Sequence, residues 1–196
     1  MEPARWKGMQ VVNRGANRIC VRDPDSAGHC LKYSLSPTGA NLAELRAWRL
    51  VQPRLDGDES WRLAASEAIV QTPAGPALRC ELVRDESGEP APSLYQLLAG
   101  PALPDAQRQA LAESVCRFEA WLQRQHIPLF DLNSGNLACV QRAGQTELVC
   151  IDLKSVLVRK ELIPLARWSR RLMHAKIARR AARLRERILA PREVGH

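Results

Sequence analysis

The segment Phe130-Asp131-Leu132-Asn133-Ser134-Gly135-Asn136-Leu137, with Ile151-Asp152 beyond it, restricts the fold of this chain more than any other feature. An Asp and an Asn stand five positions apart in a polar loop that follows an apolar run. A second Asp comes sixteen residues after the Asn, where another apolar run ends. Taken singly these residues are ordinary: Asp, Asn, Ser and Gly favour turns, and an Asp can cap the segment after it. The pair of spacings carries the information.

At 196 residues the chain can bury a core as one domain, or as one domain with a small second lobe. Hydrophobic residues make up 45%, an ordinary share for a globular protein. No apolar stretch approaches the ~18 residues that span a bilayer. The first residues, Met1-Glu2-Pro3-Ala4-Arg5-Trp6, have neither an apolar run nor a cleavage site, so the reading expects no secretory signal and a cytoplasmic protein. None of Cys20, Cys30, Cys80, Cys116, Cys139 and Cys150 belongs to a CxxC pair or neighbours a His at zinc-ligand spacing. In a reducing compartment they read as small buried hydrophobes.

The net charge of +8 is unevenly placed. Residues 159–196 hold twelve Lys/Arg and three Glu, while the rest of the chain holds 17 Lys/Arg and 18 Asp/Glu. The body is nearly neutral, and the excess sits in the tail, which implies an anionic partner or a solvated helix face.

Along the chain, Met9–Val12, Arg18–Arg22 and His29–Ser34 read as three short strands joined by turn-rich loops. Asn41 is a candidate cap for a helix with Leu42, Leu45, Trp48 and Val51 at three-residue spacing, ending near Pro53. Residues 54–62 read as loop. Glu67–Thr72 and Ala77–Arg84 form an expected hairpin around Pro73-Ala74-Gly75-Pro76. Asp85-Glu86-Ser87-Gly88-Glu89-Pro90-Ala91-Pro92 is the clearest linker. Ser93 caps an expected helix over Leu94–Leu98, and Asp105 one over Ala106–His126, with Leu111, Val115, Phe118 and Leu122 as its apolar stripe. A strand, the Asp131 loop and a second strand follow, then a basic helix over 161–189.

This order, with Lys32 on a strand, Glu44 on the next helix, the Asp131-to-Asn136 loop and Ile151-Asp152, resembles the protein-kinase-like fold. With the ending Leu165-Ala166-Arg167-Trp168-Ser169-Arg170-Arg171-Leu172, the chain looks most like the YrbL family of PhoP-regulatory-network proteins. The resemblance implies an α+β, two-lobe architecture. Residues 1–84 form a β-rich nucleotide-binding lobe, 85–92 a hinge, 93–158 a helical lobe with the catalytic-type loop, and 159–196 a basic amphipathic tail. It also implies ATP and Mg²⁺ as cofactors. Lys32 contacts phosphates and pairs with Glu44, Gly15 lies in the turn over the phosphates, and Glu81 and Val83 offer backbone groups to adenine. Asp131 is the base, and Asn136 and Asp152 supply oxygens to Mg²⁺.

The chain departs from the kinase pattern at several points. Leu129 stands where His is usual, Asn133 where Lys is common, Leu153-Lys154 where Phe-Gly follows the metal-binding Asp, and Gly15 alone where three glycines are usual. The chain is too short for a peptide-binding platform, so a sugar or glycolipid acceptor is expected in place of a protein. The tail carries Arg167, Arg170, Arg171, Lys176, Arg179, Arg180, Arg183, Arg185 and Arg187 beside Leu165, Trp168, Leu172, Ile177, Leu184 and Ile188. That pattern fits a helix packed on its own domain, a helix on the anionic inner-membrane surface, or, less well, one against nucleic acid. The competing functional classes are an inactive kinase-like regulatory module and a basic nucleic-acid-binding protein.

Overall fold

A computed structural model describes residues 8–15, 17–35, 39–55, 57–157 and 169–190. Their architecture is mixed α+β. Strands β1 (Val11–Arg14), β2 (Arg18–Arg22), β3 (His29–Ser34), β4 (Ser66–Thr72) and β5 (Gly75–Glu81) form one antiparallel sheet in the order β1-β2-β3-β5-β4. Helix α1 (Ala40–Val51) connects β3 to β4 by way of two short 3-10 turns, Gln52–Arg54 and Gly57–Arg62, where the sequence reads as loop.

Alternation decides what each face of this sheet meets. Ile19 pairs with Tyr33, Val21 with Leu31 and Tyr33 with Ala77, and these buried residues form one apolar face. The intervening residues Cys20, Lys32, Leu78, Cys30 and Cys80 occupy the other, where Leu45 of α1 packs. Lys32 is therefore turned toward α1 by register alone.

Two details of α1 differ from the expected pattern. Gly39, at φ 64°, takes the cap position, and Asn41 lies inside the first turn, its Nδ2 donating to Lys32 O at 2.7 Å. Leu42 is exposed, and the buried residues are Asn41, Glu44, Leu45, Ala47 and Val51. Spacing alone could not set the rotation of the helix, because the polar residues that it buries have partners across the sheet.

Helix α2 (Leu94–Ala99) begins at a capping box: the Gln96 N–H donates to Ser93 Oγ, and the Ser93 N–H to Gln96 Oε1. Helix α3 (Asp105–Arg124) starts one residue earlier than expected, with Pro104 at the cap, and stops before His126, whose φ is 53°. Its stripe Leu111, Val115, Phe118 and Leu122 is buried, as is Trp121. The apolar run Ile127–Phe130 is not a strand. Pro128 lacks an N–H for a ladder, the Leu129 N–H closes a tight turn on Ile127 O at 2.8 Å, and Ile127 and Leu129 enter the main core.

Strands β6 (Leu137–Arg142) and β7 (Gln145–Cys150) pair antiparallel, Leu137 opposite Cys150 and Arg142 opposite Gln145. Their two-residue turn places Ala143 at φ 50° and Gly144 at φ 74°, the left-handed pair that matches the strands' twist. Helix α4 (Arg170–Leu189) is capped by Ser169 Oγ, which accepts from the Leu172 N–H. The stretch expected to begin this helix, with Leu165, Arg167 and Trp168, lies outside the described residues. Met173, Ile177, Ala181, Leu184 and Ile188 of α4 are buried in the same cluster as the α3 stripe, Leu137, Leu148 and Cys150. The basic helix is thus part of the main core.

Buried Cys30, Cys80, Cys139 and Cys150 fit the reading of cysteines as small hydrophobes, while Cys20 is half-buried and Cys116 exposed. Burial pushes the Cys80 and Cys139 thiols up to about 12. The segment after β5 is a closed loop. Asp85 Oδ1 accepts from the Ser87 and Glu89 N–H groups at 2.9 and 3.1 Å, and the Ala91 N–H returns to Val83 O at 2.9 Å.

Candidate functional site

The β6–β7 hairpin explains the sixteen-residue spacing. Its register extends one step beyond the strands, with the Ile151 N–H donating to Asn136 O at 2.9 Å. Asn136 and Asp152 therefore emerge side by side at the open end of the hairpin. Upstream, Asn133 Oδ1 accepts from the Gly135 N–H at 3.2 Å and folds the polar loop into a tight turn. Asn136 Nδ2 donates to Asp131 Oδ2 at 3.2 Å, so Asp131 stands behind Asn136.

That hairpin end faces the Lys32 side of the five-stranded sheet across a cleft of about 500 Å³. The β1–β2 turn contributes Gly15, the start of β2 Arg18 and β3 Lys32, the end of β5 and its continuation contribute Glu81 and Val83, and the hairpin contributes Asn136 and Asp152. Glu44 is buried beneath Lys32, and Asp131 does not line the cleft. At Gly15 an added Cβ would come no nearer than 3.9 Å to Arg18 O, and the Gly15 N–H already donates to that carbonyl at 2.9 Å. The turn itself does not need a glycine.

The floor of the cleft is a buried charge network. Lys32 Nζ donates to Glu44 Oε1 at 2.6 Å and to Ile151 O at 2.7 Å, joining sheet, helix α1 and the hairpin end. Arg18 bridges two carboxylates: Nη1 donates to Glu44 Oε2, and Nη2 lies 2.7 Å from Asp152 Oδ2. Lys154 closes on Asp152 from the other side, Nζ 2.7 Å from Oδ2 and its backbone N–H 3.1 Å from Oδ1.

These contacts fix the ionisation. Burial works against charge on Lys32, but the neighbouring Cys80 and Glu44 outweigh it and hold its pKa well above the ordinary lysine value. Burial likewise opposes charge on Asp152. Arg18 first, then Lys154 and Lys32, more than offset this and hold the carboxyl below its usual range. Burial also disfavours the charge on Arg18, and Glu44 and Asp152 overcome it.

The donor set suits a hard cation that takes part of its coordination from a phosphate. Among the described residues no group of three His, Cys, Asp or Glu is placed to hold a metal by itself. Asn136 and Asp152 offer two oxygens of the kind Mg²⁺ prefers, and Mg²⁺ commonly completes its shell with water and phosphate oxygens. Both cationic side chains sit on Asp152 Oδ2, while Oδ1 accepts only the Lys154 N–H and keeps a lone pair for a metal.

Arg18 and Lys154 are the site residues that the sequence reading missed. Within the strand Arg18–Arg22 the sequence places Arg18 on the same face as Cys20, but that this face carries Lys32 follows only from the pairing of β2 with β3.

A mixed α+β protein with a lysine–glutamate–arginine–aspartate network under a cleft is the class that fold and site define. The family model described as PhoP regulatory network protein YrbL matches residues 6–189, and the chain belongs to the YrbL family. No curated protein matches it. Among the described residues no helix is long and apolar enough to cross a membrane.

Proposed function

We propose that the chain is a kinase-like, two-lobe protein that binds ATP with Mg²⁺ and transfers the γ-phosphoryl group to a hydroxyl of a non-protein acceptor, a sugar or glycolipid. In this reading 1–84 is the nucleotide lobe, 85–92 the hinge, 93–158 the lobe with the catalytic-type loop and 159–196 the basic extension. The observation that carries it is the convergence of Gly15, Lys32, Asn136 and Asp152, drawn from four separate segments, on one cleft whose far wall is Glu81–Val83. Among the described residues the Val83 N–H has no acceptor, which suits the edge of an adenine ring.

Lys32, oriented by Glu44, supplies a fixed positive charge for phosphate oxygens. Asn136 and Asp152 hold Mg²⁺, which when bound neutralises phosphate charge. Asp131 is the base of this reading; it stands behind Asn136 and outside the cleft lining, so its carboxylate has to turn past Asn136 to accept the proton of the acceptor hydroxyl. The pairing of Asp152 Oδ2 with both Arg18 and Lys154 favours a second reading, a regulatory module that binds nucleotide without turnover.

Calorimetry with ATP, with and without Mg²⁺, tests the shared part of both readings. Wild type is expected to bind ATP more tightly with Mg²⁺, and Asp152→Ala to lose that dependence. Absence of binding in wild type at millimolar ATP would remove both readings. Turnover of bound ATP with a sugar or glycolipid acceptor separates the enzyme from the module.

The outward side of α4 supplies the partner surface. Arg170, Arg171, Arg179, Arg180, Arg183 and Arg187 are exposed, while Met173, Ile177, Ala181, Leu184 and Ile188 are spent on the core and Leu172, expected in the stripe, is exposed with Leu189. An anionic membrane surface, met through charge and not through apolar insertion, fits this division and would bring the cleft to a glycolipid. Co-sedimentation with phosphatidylglycerol vesicles is expected at low salt, lost at high salt and lost in Arg179→Glu/Arg183→Glu. Equal recovery of both proteins with the vesicles would exclude that surface.

A further inference from the structure

We propose that Arg18 competes with the divalent cation for the Asp152 carboxylate and so sets the metal concentration at which the cleft takes up nucleotide. This rests on the metal–nucleotide reading above and assigns a new determinant within it. Arg18 reaches Asp152 from β2, on the opposite wall of the cleft, and its guanidinium spans Asp152 and Glu44 at once. A planar fork can satisfy two carboxylates together, and a lysine in its place could not do so with equal geometry.

Charge in the network gives the reason for competition. Arg18, Lys32 and Lys154 meet Glu44 and Asp152, leaving one net positive charge in the contact set. A divalent ion arriving on Asp152 would raise that to three in a poorly solvated pocket, where repulsion is screened weakly. The Arg18 side chain is 12% exposed and tied to Glu44, whereas the Lys154 side chain is 34% exposed and can turn toward solvent. Arg18 is therefore the cation that opposes the metal. A polyphosphate that accompanies the metal brings the negative charge that allows Arg18 to release Asp152 while it keeps Glu44. Metal and nucleotide are thereby made to bind together.

The test is calorimetric titration of ATP at a series of Mg²⁺ concentrations, with Mn²⁺ alone as a second probe. Arg18→Met is expected to lower the Mg²⁺ midpoint for ATP binding about tenfold, the effect of one charge pair removed, and to tighten Mn²⁺ binding. Lys154→Met should move the midpoint less. If ATP binds both proteins and the Arg18→Met midpoint is unchanged or higher, the competition is overturned while the nucleotide reading stands. If wild type binds no ATP, that reading falls, and Mn²⁺ alone still decides: tighter binding to Arg18→Met supports the competition, and equal binding ends it. Should Arg18→Met fail to fold, Arg18→Lys replaces it. It keeps the charge without the fork, and a midpoint lowered by a smaller factor is required.

Discussion

Glu44→Ala is expected to cost about 3–5 kcal/mol of folding stability, the range for removing one member of a buried ion pair. Glu44 is 1% exposed and is the shared partner of Lys32 and Arg18. Its loss leaves two cations in the floor of the cleft with Asp152 as their only nearby carboxylate among the described residues. Surface ion pairs are worth about 0–1 kcal/mol, so the measurement separates the cases clearly. Urea unfolding should show a lower midpoint with an unchanged slope. Glu44→Gln should fall between the two, because it keeps the shape and an acceptor but loses the charge. Adding Lys32→Met to Glu44→Ala should recover part of the loss, since it removes one of the stranded cations. A Glu44→Ala loss below about 1 kcal/mol would mean that the network does not hold the sheet to α1.

Ile177→Ala is the second large effect expected, at about 2–5 kcal/mol. Ile177 is 0% exposed and lies in the cluster that contains Phe118, Trp121 and Leu148. On a solvated appendage the same substitution would change stability by about 0.5 kcal/mol or less. The loss should appear in one cooperative transition by circular dichroism and by tryptophan fluorescence, because Trp121 reports from the shared core. Two separated transitions, or no loss, would return α4 to the status of an independent tail.

How far the sequence could be read depended on whether a signal was local. The β2–β3 and β4–β5 strands followed from alternation and turn residues, and α2 from Ser93, whose capping box with Gln96 is complete within four residues. The α3 stripe was legible for the same reason. The Ile127–Phe130 run was misread because apolar content indicates burial and does not say in what conformation. At the site, Lys32, Glu44, Asn136 and Asp152 followed from the order of elements shared with the protein-kinase-like fold. Arg18, which touches two of them, belongs to no motif and meets partners far along the chain. The same holds for Glu147, buried between Arg62 and Arg117, which ties the second 3-10 turn and α3 to β7. Long-range ion pairs depend on which faces the fold brings together, and that is not written in any window of sequence.

The β6–β7 hairpin changes what the spacing between Asn136 and Asp152 means. Two antiparallel strands that lengthen together leave their open end unaltered, so one extra residue in each strand would move the two ligands to an eighteen-residue spacing without moving them apart in space. A single residue added to one strand is different: it turns Asp152 to the other face of the ribbon and out of the cleft. A relative should thus be judged by the parity of this interval and not by its length, and a search pattern that insists on sixteen would discard chains whose chemistry is intact.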